Sequence, residues 1–341
     1  VSAHRAKQAG LPVVAALAAV LGPIVLACSP ATIAPPTADA GRDGQTVTPD
    51  SGTDGGSSYA TACKDYAYAR CTAIETCSST SILFQFGTVQ VCEQFYEQSC
   101  DLKFGLPSAG GTVAHVQACT MAISSWKCSD LIYAENVPPD CQIVPGGLAN
   151  GATCAVSDQC QSAWCQHPYG SACGTCTAPP TAGQPCTVSS QCGMNLVCVG
   201  STGTCATRSA LGAACSAAQP CDDSLACVGG ICTAEASPAG ATCNPDGAGC
   251  NVYAGLTCDA ATNTCQTLQL VNGGEACGQV GTKTVLCITG QCERGTCVQG
   301  APLGAPCDLT SAAPCLGYAQ CNVTSDGGTM GTCMLPGAGC Q

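Results

Sequence analysis

The chain writes Gly-x-x-Cys six times, and after each one at least three more cysteines follow before the next begins. The openings run Gly151 to Cys154, Gly183 to Cys186, Gly212 to Cys215, Gly240 to Cys243, Gly274 to Cys277 and Gly304 to Cys307. Their first cysteines stand 32, 29, 28, 34 and 30 residues apart. Self-similarity at such a period marks a tandem array of small units, each too short to bury a core of its own. With 35 cysteines in 341 residues, disulfides must supply what burial cannot, and they persist only in oxidising compartments. The protein is therefore expected outside the cytoplasm.

The modules share one plan. The first holds Cys154, Cys160, Cys165, Cys173 and Cys176. The next three hold Cys186, Cys192, Cys198 and Cys205; Cys215, Cys221, Cys227 and Cys232; and Cys243, Cys250, Cys258 and Cys265. The last two hold Cys277, Cys287, Cys292 and Cys297, then Cys307, Cys315, Cys321 and Cys333. Turn formers precede the closing cysteine, as in Gly229-Gly230 and Asn263, and Leu-x-Cys stubs precede them, as in Leu196-Val-Cys198. The third and fourth cysteines are thus expected to flank a small β-hairpin. The loop between the first two must be clamped to it. First-to-third and second-to-fourth pairing is favoured among the three patterns that four cysteines allow. The fifth module is irregular, because its Leu286-Cys287 falls on the second cysteine.

Residues 59–147 differ. Eight cysteines are widely spaced there: Cys63, Cys71, Cys77, Cys92, Cys100, Cys119, Cys128 and Cys141. Cys63, Ala67, Cys71 and Ile74 lie on one helix face, as do Cys92, Phe95, Tyr96 and Cys100. Val113, Val116, Cys119, Ile123 and Trp126 make a third stripe, with Thr112 as its N-cap. The expectation is three or four short helices joined by four bridges, with Phe84, Phe86, Phe95 and Trp126 inside. Ten of the chain's 14 aromatics lie between Tyr59 and Tyr133, leaving the modules Trp164, Tyr169, Tyr253 and Tyr318. The fold class is small and disulfide-rich: tandem modules with short β-hairpins, after a small stapled α-helical domain. Residues 148–205 form a double module and 206–341 four more.

At the other end, His4, Arg5 and Lys7 precede an apolar run over residues 11–27, interrupted by Pro12, Gly22 and Pro23. This reads as a signal peptide, residues 1–27, rather than a membrane span. The run ends Val25-Leu26-Ala27-Cys28, which resembles the lipobox of bacterial lipoproteins. The resemblance implies cleavage before Cys28 and acylation of that residue, with Ser29 implying export to the outer membrane. Parity agrees, since removing Cys28 leaves 34 cysteines, an even number. Residues 28–58 are rich in Pro, Thr, Ala, Gly and Asp, and are expected to be a disordered tether. Fully extended, it spans roughly 90 Å.

The first double module, with its Cys154-AVSDQ-Cys160 run and Cys173-Gly-Thr-Cys176 ending, resembles the N-terminal cysteine-rich domain of Dickkopf proteins over residues 154–205. That family has an adjacent cysteine pair where this chain has Cys192 alone. Dickkopf proteins are secreted antagonists that bind receptors in Wnt signalling. The resemblance implies an extracellular binding module, not Wnt antagonism.

The sequence offers no complete catalytic or metal motif. Cys173-Gly-Thr-Cys176 lacks the helix and βαβ context of a redox pair, and a zinc site needs a second pair. His115 and His167 have no nucleophile or carboxylate arranged about them. Asp222-Asp223 and Asn244-Pro-Asp246-Gly247 read as turns rather than calcium loops, and the Asn322-Val-Thr324 sequon as chance. No catalysis, metal or cofactor is expected. The net charge of −12, with Arg208, Lys283 and Arg294 the only bases in the modules, excludes nucleic acid as a main partner. The expected function is a lipid-anchored surface protein, whose loops 155–159, 187–191, 216–220, 244–249, 278–286 and 308–314 bind a protein or glycan ligand. The alternatives are a protease inhibitor or a passive envelope stalk. An array of units touching only their neighbours is expected to be elongated. Cys340 stands alone after the sixth module. A nonlocal bridge from it to Cys173 or Cys176 is the favoured pairing, and requires the array to bend back on itself; the other choices are a bridge to a second chain or re-pairing through Cys141 at the domain junction.

Overall fold

A computed structural model describes residues 58–340, apart from 168–170, 172, 188, 194–195, 201, 237, 244–248, 282, 312–313, 318, 324–327, 336 and 339. The leader, Cys28, most of the tether, Tyr169, Tyr318 and the Asn244–Gly247 turn lie outside the described residues. No helix among the described residues is long and apolar enough to cross a membrane.

Among these residues, five α-helices come first: α1 Tyr59–Cys77, α2 Ser79–Gln85, α3 Val89–Gly105, α4 Val113–Ile123 and α5 Cys128–Tyr133. That exceeds the three or four expected, and α1 and α3 are long, at 19 and 17 residues. Side chains of Ser58, Ser78, Thr88 and Thr112 cap α1 to α4 by accepting a backbone N–H of the first turn. Bridges Cys63–Cys100 and Cys71–Cys92 tie α1 to α3. Their cysteines are eight residues apart on each helix, so they are two rungs of one antiparallel pair. Cys77–Cys128 pins the end of α1 to α5, and Cys119–Cys141 holds α4 to the turn at Pro139–Cys141. Phe86, Phe95 and Trp126 are buried in the main helical cluster. Phe84 is only half-buried, which corrects the expectation. Ile82 and Phe86 share the inward face of this short segment, and Phe84, two positions from each, is turned away.

In the last five modules the first cysteine bonds the third and the second bonds the fourth; in the first, which has five, Cys154–Cys165 and Cys160–Cys176 keep the same crossed plan with the closing cysteine as the second one's partner. The third and fourth cysteines stand directly opposite each other across antiparallel strands, as Cys198 opposite Cys205 and Cys258 opposite Cys265. The recurring glycine has a physical reason. Its N–H donates to the carbonyl of the closing cysteine in every module, from Gly151 to Cys176 through Gly304 to Cys333. That bond needs a left-handed backbone, with φ between +79° and +90°. No atom lies within 4 Å of where a Cβ would stand at any of the six, so conformation rather than space demands glycine. A second device recurs. The strand entering a module pairs in parallel with its second cysteine, as Leu148 with Cys160, Ser209 with Cys221 and Ala301 with Cys315. The fifth module extends this into a three-residue parallel pairing of Gln269–Val271 with Val285–Cys287.

The array is not elongated. It wraps round the helices, because helical backbone and side chains offer partners the modules lack. Asp158 of the first module accepts from Gly110 through its carbonyl, and Gln159 donates to the Pro107 carbonyl. The Ser78 hydroxyl donates to the Tyr253 carbonyl of the fourth module, and the Thr289 N–H of the fifth donates to the Leu83 carbonyl. Leu303 and Leu335, flanking the sixth module, pack on the helical core. The circuit then closes: Cys173 is bonded to Cys340, 167 residues away, with Cα atoms 5.0 Å apart. The C-x-x-C motif is thus split between this bridge and the local Cys160–Cys176 pair.

Two outcomes check the closed circuit and its glycines. Peptide mapping without reduction should recover the Cys173 and Cys340 peptides joined, and Cys340→Ser should expose one titratable thiol, at Cys173, with the other bridges intact; separate peptides would refute the closure. Gly212→Ala should cost about 1–2 kcal/mol from the left-handed backbone alone. Hydrogen exchange should accelerate roughly tenfold in the third module and leave the first and sixth unchanged.

Candidate functional site

The loops between first and second cysteines do not all face outward. Loop 155–159 is consumed by the fold. Ala155 and Gln159 are buried, and the Gln159 amide oxygen accepts from the Ala155 and Val156 N–H groups. Asp158 meets Lys103 of α3 at 3.3 Å. This corrects the expectation of a binding loop there: the helical domain supplied a surface for it to dock on. Loop 187–191 is also internally braced, with Gln191 accepting from both the N–H and the hydroxyl of Thr187, and its Thr187 and Ser189 are exposed. In loop 216–220, residues Ser216 to Gln219 are exposed. Loop 278–286 folds as a hairpin, Gly278–Val280 against Lys283–Cys287, with Val280 exposed at its tip. In loop 308–314, Leu309 is exposed beside Met330 of the neighbouring strand. Loop 244–249 lies mostly outside the described residues.

Exposed aliphatic side chains cluster near these loops. In the third module Val228 and Ile231 are cross-strand partners, 37 % and 46 % exposed, and Leu211 is 66 % exposed. Solvated aliphatic groups beside projecting loops are what a contact surface for another molecule needs.

The charged groups gather elsewhere, where the end of α5 meets the third and fourth modules. Arg208 is ion-paired with Asp223 and lies 3.9 Å from Glu135, whose carboxylate also accepts the Asp223 N–H. Asp222-Asp223 is therefore part of a junction as well as a turn. The Tyr133 and Tyr253 rings meet edge-on at 5.1 Å. Burial raises both phenols, with Glu235 adding to the rise. Burial pushes the Glu135 carboxyl up, Asp222 adds to it, and Arg208 opposes. Burial alone pushes Glu235 up to about 7. Sequence reasoning missed this junction because its members are spread from Tyr133 to Tyr253.

One cavity of about 170 Å³ opens between α1, α3, α4 and the first module. Its walls include Tyr66, Tyr96, Phe104, Lys103, His115 and Asp158. His115 is half-buried here. His167 contacts only the Ser171 carbonyl, at 3.4 Å, among the described interactions. The tightest sulfur groupings, such as Cys154, Cys160 and Cys176, arise where two bridges lie side by side. A bridged cysteine offers no thiolate to a metal.

Comparison with known proteins returns no matching family model, no matching curated sequence and no matching solved structure. Function must therefore be read from the residues themselves.

The junction yields a pH test. The folded Glu235 carboxyl keeps its proton up to about 7, whereas its ordinary value is 4.5. Between these values the folded state holds more protons, so this group's contribution is complete below 4.5 and is lost as pH rises through 7. Protease resistance of the third and fourth modules should fall over that window, and Glu235→Gln should flatten the fall. An unchanged slope in the variant refutes the assignment.

Proposed function

We propose that the protein is a lipid-anchored, extracytoplasmic binding protein that displays disulfide-stapled loops to a macromolecular partner. The supporting observation is the placement of the loops. In the loops at 187–191, 216–220, 278–286 and 308–314, the exposed Thr187, Ser189, Ser216 to Gln219, Val280 and Leu309 stand on modules pinned by crossed bridges, so ordering them on binding costs little. The exposed Val228, Ile231, Leu309 and Met330 favour a protein partner over a glycan, which aromatic platforms would serve better. The Dickkopf-like cysteine pattern over residues 154–205 fits a binding role. Anchoring through Cys28 at the outer membrane or cell surface completes the reading, with the tether setting the reach.

Metabolic lipid labelling should tag the intact protein and vanish in Cys28→Ser. Cells displaying the protein should capture envelope or surface proteins, and Ile231→Asp with Met330→Asp should cut that capture at least tenfold without loss of protease resistance. Capture unaffected by both changes refutes the loop surface. Stoichiometric inhibition of a protease through the Lys283 hairpin would install the inhibitor reading instead.

A further inference from the structure

The cavity between the helices and the first module has features that neither folding nor the displayed loops require. Its deep wall is apolar: Val116, 9 % exposed, with the sulfur of Cys100, 7 % exposed. Tyr66 and Tyr96 meet at right angles, ring centres 6.3 Å apart, and Phe104 lies on the same wall, backed by Tyr59 stacked at 4.0 Å. A void near 150 Å³ suffices for a benzene-sized ring. At about 170 Å³ this cavity accommodates one aromatic ring and a short substituent. Its open side carries Lys103, whose side chain is 43 % exposed, paired at 3.3 Å with the less exposed Asp158. Asp158 comes from the first module, so the site is complete only when that module is docked.

Two kinds of aromatic ligand fit such walls, one cationic and one anionic. A quaternary ammonium would use the ring faces. However, Lys103 places a positive charge at the mouth, and the Arg70 guanidinium, outside the cavity lining, lies 4.8 Å over the Tyr96 ring and adds a second. Within that ion pair the Lys103 side chain is the more exposed, 43 % against 17 % for Asp158, so the ammonium rather than the carboxylate meets an incoming ligand. The ammonium of Lys103 has three donors and His115 can offer another, so the mouth is rich in donors. We propose that this cavity binds a small aromatic carboxylate, its ring between Tyr66, Tyr96 and Phe104 and its carboxylate on Lys103.

This site is separate from the displayed loops, so its failure and theirs are told apart by the variants used. Calorimetry on the full, oxidised protein should use benzoate, acetate, benzyl alcohol and phenyltrimethylammonium as probes. Benzoate should bind, acetate should not, and phenyltrimethylammonium should bind at least tenfold more weakly than benzoate. Lys103→Met should weaken benzoate about tenfold and leave benzyl alcohol unchanged. Asp158→Asn removes the same ion pair but keeps the ammonium, and should bind benzoate at least as tightly as the native protein. No heat with millimolar benzoate, equal binding of the cationic probe, or equal losses in both variants would each overturn the proposal. Equal losses would mean that the ion pair serves only to dock the first module.

Discussion

Two crossed bridges per module stand in for a hydrophobic core. Each closes only 10 to 18 residues, and each limits the unfolded chain by about 2–4 kcal/mol. The modules have almost nothing else to bury: their compact clusters consist of the cysteines themselves plus one to three aliphatic side chains, such as Leu196 in the second, Leu256 with two alanines in the fourth and Val271 in the fifth. Placing the third and fourth cysteines opposite each other in a hairpin fixes the register of the strands. The second bridge then anchors the preceding loop, and the left-handed glycine folds the entering strand onto the same edge. Cysteine, hairpin and glycine are parts of one mechanism, which is why they recur together.

The helical domain solves a different problem. It concentrates the aromatics, and it offers the modules a surface to lie against. Ser78 shows the economy of that arrangement: it ends α1, caps α2 and donates to the Tyr253 carbonyl of the fourth module. Docking turns a set of units that could each fold locally into a closed circuit. The Cys173–Cys340 bridge closes the longest loop among the described bridges, 167 residues, and its constraint on the unfolded chain is reduced only by the intervening bridges, which shorten the effective loop.

This circuit also decides which surfaces remain for function. Loop 155–159 resembles its counterparts in length and position, yet its Asp158 and Gln159 are held against the helical domain, and Asp158 helps wall the aromatic cavity. In later loops Ser216 to Gln219, Val280 and Leu309 stay exposed, and the fourth and fifth modules touch the helices through other segments, at Tyr253 and Thr289. Equivalent positions in a repeat therefore carry different roles according to their place around the hub.

Local periodicity made much of this legible. Cysteine spacing pointed to the crossed pairing, the turn residues to the hairpins, and the stripes at Cys63–Ile74 and Cys92–Cys100 to the faces that are buried. Thr112 caps the helix it was expected to cap. Short helices such as α2 and α5 were missed because six or seven residues carry too little periodicity to distinguish them from a loop. By itself the sequence determined the crossed bridges inside the modules, because bridges between near neighbours depend on spacing and turn chemistry, whereas the pairing of the helical cysteines and of Cys173 with Cys340 was left to the tertiary structure. Only the tertiary structure decided the wrapping of the modules, the burial of loop 155–159, the Glu135–Arg208 junction and the cavity beside His115. Those depend on contacts between segments tens to hundreds of residues apart, and no local pattern records which surfaces will meet.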